Sequence, residues 1–108
     1  MVIKSPLVSI IIRTKNEEDW IHHCLSAVFE QSYPHFEVIL VDNDSVDRTV
    51  QVASRFPIKT VVTVNEFFPG RAINRGVVES SGDLLVCLSA HCVPRDNNWL
   101  QNLVTSIQ

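Results

Sequence analysis

The sequence predicts an α/β fold, a three-layer α/β/α sandwich built on a mainly parallel sheet. Apolar runs rich in β-branched residues alternate four times with segments whose apolar residues recur at helical spacing. A strand that returns through a helix to another strand implies parallel pairing by right-handed crossovers. The second observation is residues 84–94, LLVCLSAHCVP, a continuous apolar run after Gly82 and Asp83 that breaks into the polar turn Ser89, Ala90 and His91. Such a run suits a central strand covered on both faces. Third, polar loops follow the strands, and in open α/β sheets ligands sit at the strands' carboxyl ends. Residues 13–17, 42–45 and 89–92 are therefore the expected site.

Each element carries its own signature. Residues 8–12 are a β-branched run ending in Arg13, Thr14, Lys15 and Asn16, so a buried first strand is expected with a polar loop behind it. Trp20, Ile21, Cys24, Leu25 and Val28 share one helical face, with Asn16 as cap and Glu17 and Glu18 as first-turn acids. That helix ends near Gln31, before the break at Tyr33 and Pro34. The second strand, residues 36–41, opens into Asp42, Asn43, Asp44 and Ser45. Val46, Val50 and Ala53 mark the inner face of a second helix, capped by Asp44 or Ser45, with Asp47 in its first turn. A third strand over 58–64 carries Lys59, Thr60 and Thr63, the marks of a sheet edge. Ala72, Ile73, Gly76 and Val77 line a third helix that runs out at Ser80, Ser81 and Gly82. After the fourth strand, Trp99, Leu100, Leu103, Val104 and Ile107 form a last helical stripe.

Bulk properties narrow the function. The chain has 108 residues, enough for one domain with a real core, and 45% apolar and 19% charged residues are ordinary for a globular chain. A net charge of -3 with scattered Lys and Arg argues against a nucleic-acid surface. Cys24, Cys87 and Cys92 are odd in number and lack C-x-x-C spacing, so a disulfide framework or structural zinc is not expected and a reduced, cytoplasmic setting fits. Lys4 and Pro6 interrupt an amino-terminal apolar stretch too short for a signal sequence or a membrane span. The first strand is followed by RTKNEE, so the G-x-G-x-x-G dinucleotide fingerprint is missing, as is G-x-x-x-x-G-K-[ST]. A phosphate-receiver domain would need acids where Arg13 and Lys15 stand.

The segments PLVSIIIRTKNEE, FEVILVDNDSVDRT, INRG, SSGD and LLVCLSAHCVP, in this order and spacing, resemble the family 2 glycosyltransferases, whose fold is the Rossmann-like GT-A fold. The resemblance spans nearly the whole chain and implies that residues 1–108 are the nucleotide-sugar-binding, amino-terminal half of a glycosyltransferase domain, truncated before its acceptor half. It implies donor contacts from the first loop, Arg13, Thr14, Lys15, Asn16 and Glu17, with the family's Thr-x-Asn element beside the base at 14–16. Asp42 and Asn43 fall at the family's acidic pair beside base and ribose. Ser89, Ala90 and His91 fall at its D-x-D motif, whose last carboxylate holds a divalent cation on the donor pyrophosphate.

The residue types fit a pyrimidine nucleotide sugar in part. Asn43 can accept from a ring N–H and donate to a ring carbonyl, where the family's more usual Asp only accepts. Asp42 suits either ribose hydroxyls or bracing of its loop, and both Asp42 and Asp44 also suit a helix cap with an Asx-turn. Replacing D-x-D by Ser89, Ala90 and His91 removes two negative charges from a hard-cation site, which stands against Mg2+. His91 therefore reads three ways: as the sole protein ligand of a metal, with Mn2+ favoured; as an imidazolium that with Arg71, Arg13 and Lys15 steadies the leaving diphosphate; or as an ordinary turn histidine. Arg71 and Arg75 are expected near the start of the third helix and suit either a pyrophosphate or solvent. Phe67 and Phe68 suit closure over a base or sugar, or packing. His22 and His23 read as surface residues.

The expected function is transfer of a sugar from a nucleotide-diphosphate donor to a glycan or lipid-linked acceptor, in surface polysaccharide assembly at the inner face of the membrane, with peripheral association of the longer protein. The alternative is a binding or assembly module that kept the fold and lost metal-dependent turnover. The catalytic base belongs to the acceptor half in the family, so no residue here is assigned that role. An uncovered sheet edge predicts self-association of the isolated half.

Overall fold

The computed structural model describes residues 5–107; Lys4, which interrupts the amino-terminal apolar stretch, lies outside them. Eight elements alternate in the order β1 (Val8–Thr14), α1 (Ile21–Phe29), β2 (Phe36–Asp42), α2 (Thr49–Ala53), β3 (Thr60–Thr63), α3 (Pro69–Val78), β4 (Leu84–Ser89) and α4 (Trp99–Ile107). The four strands form one all-parallel sheet ordered β3-β2-β1-β4.

Two cores flank it. On one face Ile10 and Ile12 of β1 and Val38 and Leu40 of β2 pack with Ile21, Cys24, Leu25 and Val28 of α1, Ala53 of α2, and Leu100 and Val104 of α4. On the other, Ile11, Ile39, Val41 and Val62 pack against Ala72 of α3. This split follows from strand geometry, since successive side chains of β1 point to opposite faces. Gly76 lets α3 lie close to the sheet: a Cβ there would fall 2.6 Å from Ile11 Cγ2 and 2.7 Å from Val41 Cγ2.

Gln31 couples the ends of two helices. Its buried side chain donates to the carbonyls of Ala27 at 3.0 Å and Asp96 at 2.7 Å, and accepts from the Leu100 N–H at 2.9 Å. The start of α4 is thereby tied to the end of α1, and an otherwise orphaned helix N–H is satisfied.

Three expectations are corrected. Among the described residues the strand expected at the centre, β4, stands at the edge of the sheet, and β1 and β2 occupy the centre. Along β4, Leu84, Val86 and Leu88 pack on the core while Leu85 and Cys87 are exposed. A continuous apolar run is compatible with one covered face as well as two, so periodicity does not discriminate. Trp20 precedes α1 and is half-exposed, because the Glu17 carbonyl accepts from the N–H groups of both Trp20 and Ile21 and forms a turn before the helix. Asn16, Glu17 and Glu18 therefore precede α1 and neither cap it nor occupy its first turn. Val46 is 89% exposed and α2 begins only at Thr49, since the preceding residues are held by side-chain hydrogen bonds in a non-helical loop. Asp44 and Ser45 are accordingly too early to cap α2, and Asp47 lies outside it.

Candidate functional site

The parallel register brings the ends of β1, β2 and β4 level. Thr14 pairs with Asp42, and Arg13 with Ser89. The ladders run one step further, with the Asn43 N–H on the Thr14 carbonyl at 2.9 Å and the Ala90 N–H on the Arg13 carbonyl at 3.0 Å. The three polar loops thus leave the sheet at one rim.

Side chains lace the first two loops. Buried Asp42 accepts from the N–H and the hydroxyl of Ser45 at 3.0 and 2.6 Å. Ser45 Oγ accepts from the Asn16 N–H at 2.8 Å, and Asn16 Oδ1 accepts from the Val46 N–H at 2.8 Å. Asn16 and Asp44 take left-handed backbone angles, φ 51° and 54°, which Asn and Asp adopt more readily than other side chains. Thr49 Oγ1 accepts from the Glu17 N–H at 2.8 Å and donates to Asp47, whose carboxylate also accepts from the Glu18 N–H at 3.2 Å. Burial alone would raise the Asp47 pKa, but the hydrogen bonds from Thr49 and Glu18 outweigh it and hold the carboxyl below its ordinary value.

A cavity of about 190 Å³ opens at this rim, lined by Arg13, Thr14, Lys15, Glu17, Asn43 and Ser89. Thr14 is 3% exposed and its hydroxyl has no hydrogen-bond partner among the described residues. An unpaired buried hydroxyl in a cavity wall is the kind of group a ligand satisfies.

His91 stands beside the cavity. Its Nδ1 lies 2.8 Å from both carboxylate oxygens of Glu17, and its ring lies 5.6 Å from that of Trp20 at an interplanar angle of 30°. Among the described residues no three His, Cys, Asp or Glu side chains form a metal-ligand group. The turn offers one imidazole with Nε2 open and one carboxylate bound to its Nδ1. That donor set suits a cation whose remaining positions are filled by phosphate oxygens, and does not suit a free ion held by protein alone.

The expected site residues are thus sorted by position. Arg13, Thr14, Lys15, Glu17, Asn43 and Ser89 share the cavity wall, and His91 joins it through Glu17. Asn16 and Asp42 brace the loops, and Ala90 is fully buried. Asn43 is clamped rather than open: its amide donates to the Glu66 carbonyl at 2.7 Å and accepts from the Glu66 N–H at 2.8 Å. Arg71 is absent from the cavity wall and lies over the Phe68 ring at 5.3 Å, while Phe67 is 90% exposed. Sequence reasoning missed the roles of Thr49, Glu66 and Trp20. Thr49 carried a signal, since Asp-x-Thr between a strand and a helix suits an Asx-type turn.

The family described as Glycosyl transferase family 2 matches residues 9–108. This chain belongs to that family. A glycosyltransferase of Haloferax volcanii, AglE, is 36% identical over 109 residues, covering 94% of this chain and 36% of that protein. The dolichyl N-acetyl-alpha-D-glucosaminyl phosphate 3-beta-D-2,3-diacetamido-2,3-dideoxy-beta-D-glucuronosyltransferase of Methanococcus voltae is 31% identical, covering 94% of this chain and 34% of that protein. The chain therefore spans about a third of the length of these family members. Among solved structures, the mannosyltransferase PcManGT of Pyrobaculum calidifontis, in complex with GDP-Man and Mn2+, has a TM-score of 0.82 at 24% identity over 94% of this chain and 31% of that one. It has the same α/β fold. No helix among the described residues is long and apolar enough to cross a membrane.

Proposed function

We propose that this chain is the donor-binding part of a glycosyltransferase that moves a sugar from a nucleotide diphosphate to a hydroxyl of a glycan or lipid-linked acceptor, in the assembly of surface polysaccharide. The observation that carries this reading is the family match over residues 9–108. Supporting it, the loops behind β1, β2 and β4 meet at one cavity, where ligands of parallel α/β sheets sit. In this reading Arg13 and Lys15 attract the diphosphate, and Thr14 and Asn43 flank the nucleoside. Asp42 and Asn16 keep the loops in place.

A divalent cation belongs to the proposal. PcManGT was solved in complex with GDP-Man and Mn2+, and a cation bound on the diphosphate here would neutralise charge developing on the leaving group. Peripheral attachment at the inner face of a membrane fits a lipid-linked acceptor of the kind named for the Methanococcus voltae relative. The edge of β4, unpaired on its outer side among the described residues, suits pairing with a second copy when the chain is alone.

A second reading, a module that binds nucleotide sugar without turnover, draws on Ser89, Ala90 and His91 standing in place of D-x-D. Calorimetry with UDP-, dTDP- and GDP-sugars, with and without Mn2+, tests the first step common to both. Saturable binding of one of them supports the proposal, and no binding under either condition overturns it. Turnover by the longer protein then separates enzyme from module.

A further inference from the structure

Glu17 and His91 are 74 residues apart in sequence, yet the carboxylate meets the ring on Nδ1 with both oxygens at 2.8 Å. A carboxylate offers only lone pairs to such a contact, so Nδ1 carries the hydrogen and donates it. The other ring nitrogen, Nε2, is then left with its lone pair whenever the imidazole is neutral.

Each partner is held from behind. The Glu17 backbone is fixed by the Thr49 hydroxyl at 2.8 Å and by the turn to Trp20 and Ile21. The His91 turn is closed by Cys92 N–H on the Ser89 carbonyl at 2.8 Å. Trp20, half-exposed, lies alongside the His91 ring, with ring centroids 5.6 Å apart.

We propose that Glu17 is a positioning residue for His91, taking the Nδ1 hydrogen so that Nε2 becomes a lone-pair donor to a divalent cation arriving on a nucleoside diphosphate. This rests on the donor-binding reading above. The alternative use of His91, as a positive charge against the diphosphate, is weakened by the same geometry: an imidazolium bonded to Glu17 is an ion pair with no net charge to offer. Histidines that bind metals through one nitrogen characteristically donate the other to a carboxylate, and loss of that partner costs roughly 10- to 100-fold in metal affinity. One imidazole does not retain a free ion, so cation binding is expected to require the nucleotide.

Two measurements on the chain test this. Nitrogen-15 NMR of the histidine rings, recorded with the rings neutral and without metal, should show His91 with its hydrogen on Nδ1, and the Glu17→Ala variant should shift it to Nε2, the form free imidazole side chains prefer. An unchanged tautomer in the variant overturns the proposal. Electron paramagnetic resonance of Mn2+ with UDP or GDP should show nucleotide-dependent binding with a nitrogen coupling that His91→Ala abolishes. Glu17→Gln should weaken Mn2+ binding roughly 10- to 100-fold, well beyond any change in nucleotide affinity measured without Mn2+. If the nucleotide binds but Mn2+ shows no nitrogen coupling, or is held equally by wild type and Glu17→Gln, the positioning role is wrong and the donor-binding reading stands. If none of UDP, dTDP and GDP binds with or without Mn2+, both fall.

Discussion

Asn43 and Glu66 exchange two hydrogen bonds, the Asn43 amide N–H reaching the Glu66 carbonyl at 2.7 Å and the Glu66 N–H reaching Asn43 Oδ1 at 2.8 Å. A side-chain amide here copies a rung of backbone ladder, and the 65–68 loop is fastened to the end of β2 by it. Asp cannot substitute, since it accepts but does not donate. Asn43→Asp keeps the bond from the Glu66 N–H and sets a carboxylate oxygen against the Glu66 carbonyl. The expected cost is about 1–2 kcal/mol, read as a lower urea midpoint. Asn43→Asp as stable as wild type would show that the clamp is not holding the loop.

Gly76 is where α3 touches the sheet most closely. A methyl group there would lie 2.6 Å from Ile11 Cγ2 and 2.7 Å from Val41 Cγ2, both on fully buried side chains in the central strands. Neither can retreat without disturbing the opposite core, so Gly76→Ala should destabilise by about 1–3 kcal/mol despite Ala's better helix propensity. Solvent-facing Gly70, where an added methyl group would meet nothing within 4 Å, is the control. Gly70→Ala should leave the thermal midpoint near wild type; a Gly76→Ala midpoint equal to it would refute the close packing.

The alternation of elements was legible because periods of 2 and 3.6 in apolar residues are imposed by burial on one face, and both survive in the sequence. The rim of the sheet was legible for the same reason: a buried strand that turns polar must have reached the surface. Faces and partners were not. LLVCL does not encode whether a helix covers its second side, so β4 was expected at the centre. Val46 fits a helical stripe, but Asp42 and Asn16 hold the 42–46 backbone in hydrogen bonds that delay α2 to Thr49. Glu17 with His91 and Asn43 with Glu66 are pairs 74 and 23 residues apart, and nothing local in the chain announces such contacts.

Glu37 sits at the opposite end of the sheet from the candidate site. It accepts from Ser9 Oγ at 2.7 Å and the Ser81 N–H at 2.8 Å, and pairs with Lys59 at 3.2 Å. Burial pushes its pKa up, but these hydrogen bonds outweigh it and bring the value down to about 2 from an ordinary 4.5. A carboxyl whose pKa is lower in the folded chain stabilises it fully above the unfolded value, and the contribution disappears as pH falls toward the folded one. Stability should therefore decline between about pH 4.5 and pH 2, by on the order of 1–2 kcal/mol from this group after allowance for solvent screening. Glu37→Gln should be less stable at neutral pH and lose that part of the acid dependence. Parallel denaturation curves for the two proteins across this range would contradict the assignment.

The three cysteines should separate by reactivity. Cys24 is fully buried on the inner face of α1, whereas Cys87 on the bare side of β4 and Cys92 after the His91 turn are exposed. Burial, with a smaller contribution from the neighbouring Cys92, pushes the Cys24 thiol up to about 12, so at neutral pH it holds almost no thiolate, the species that reacts. A thiol reagent should modify two cysteines quickly in the folded chain and the third only as fast as the chain opens. Adding denaturant should equalise all three. Self-association through β4 would add a distinct signature, because Cys87 lies on that strand: its labelling should slow with protein concentration while that of Cys92 does not. Concentration-independent labelling at both positions would argue against pairing along that edge, and rapid modification of Cys24 in the native state would contradict the packing of α1 on the sheet.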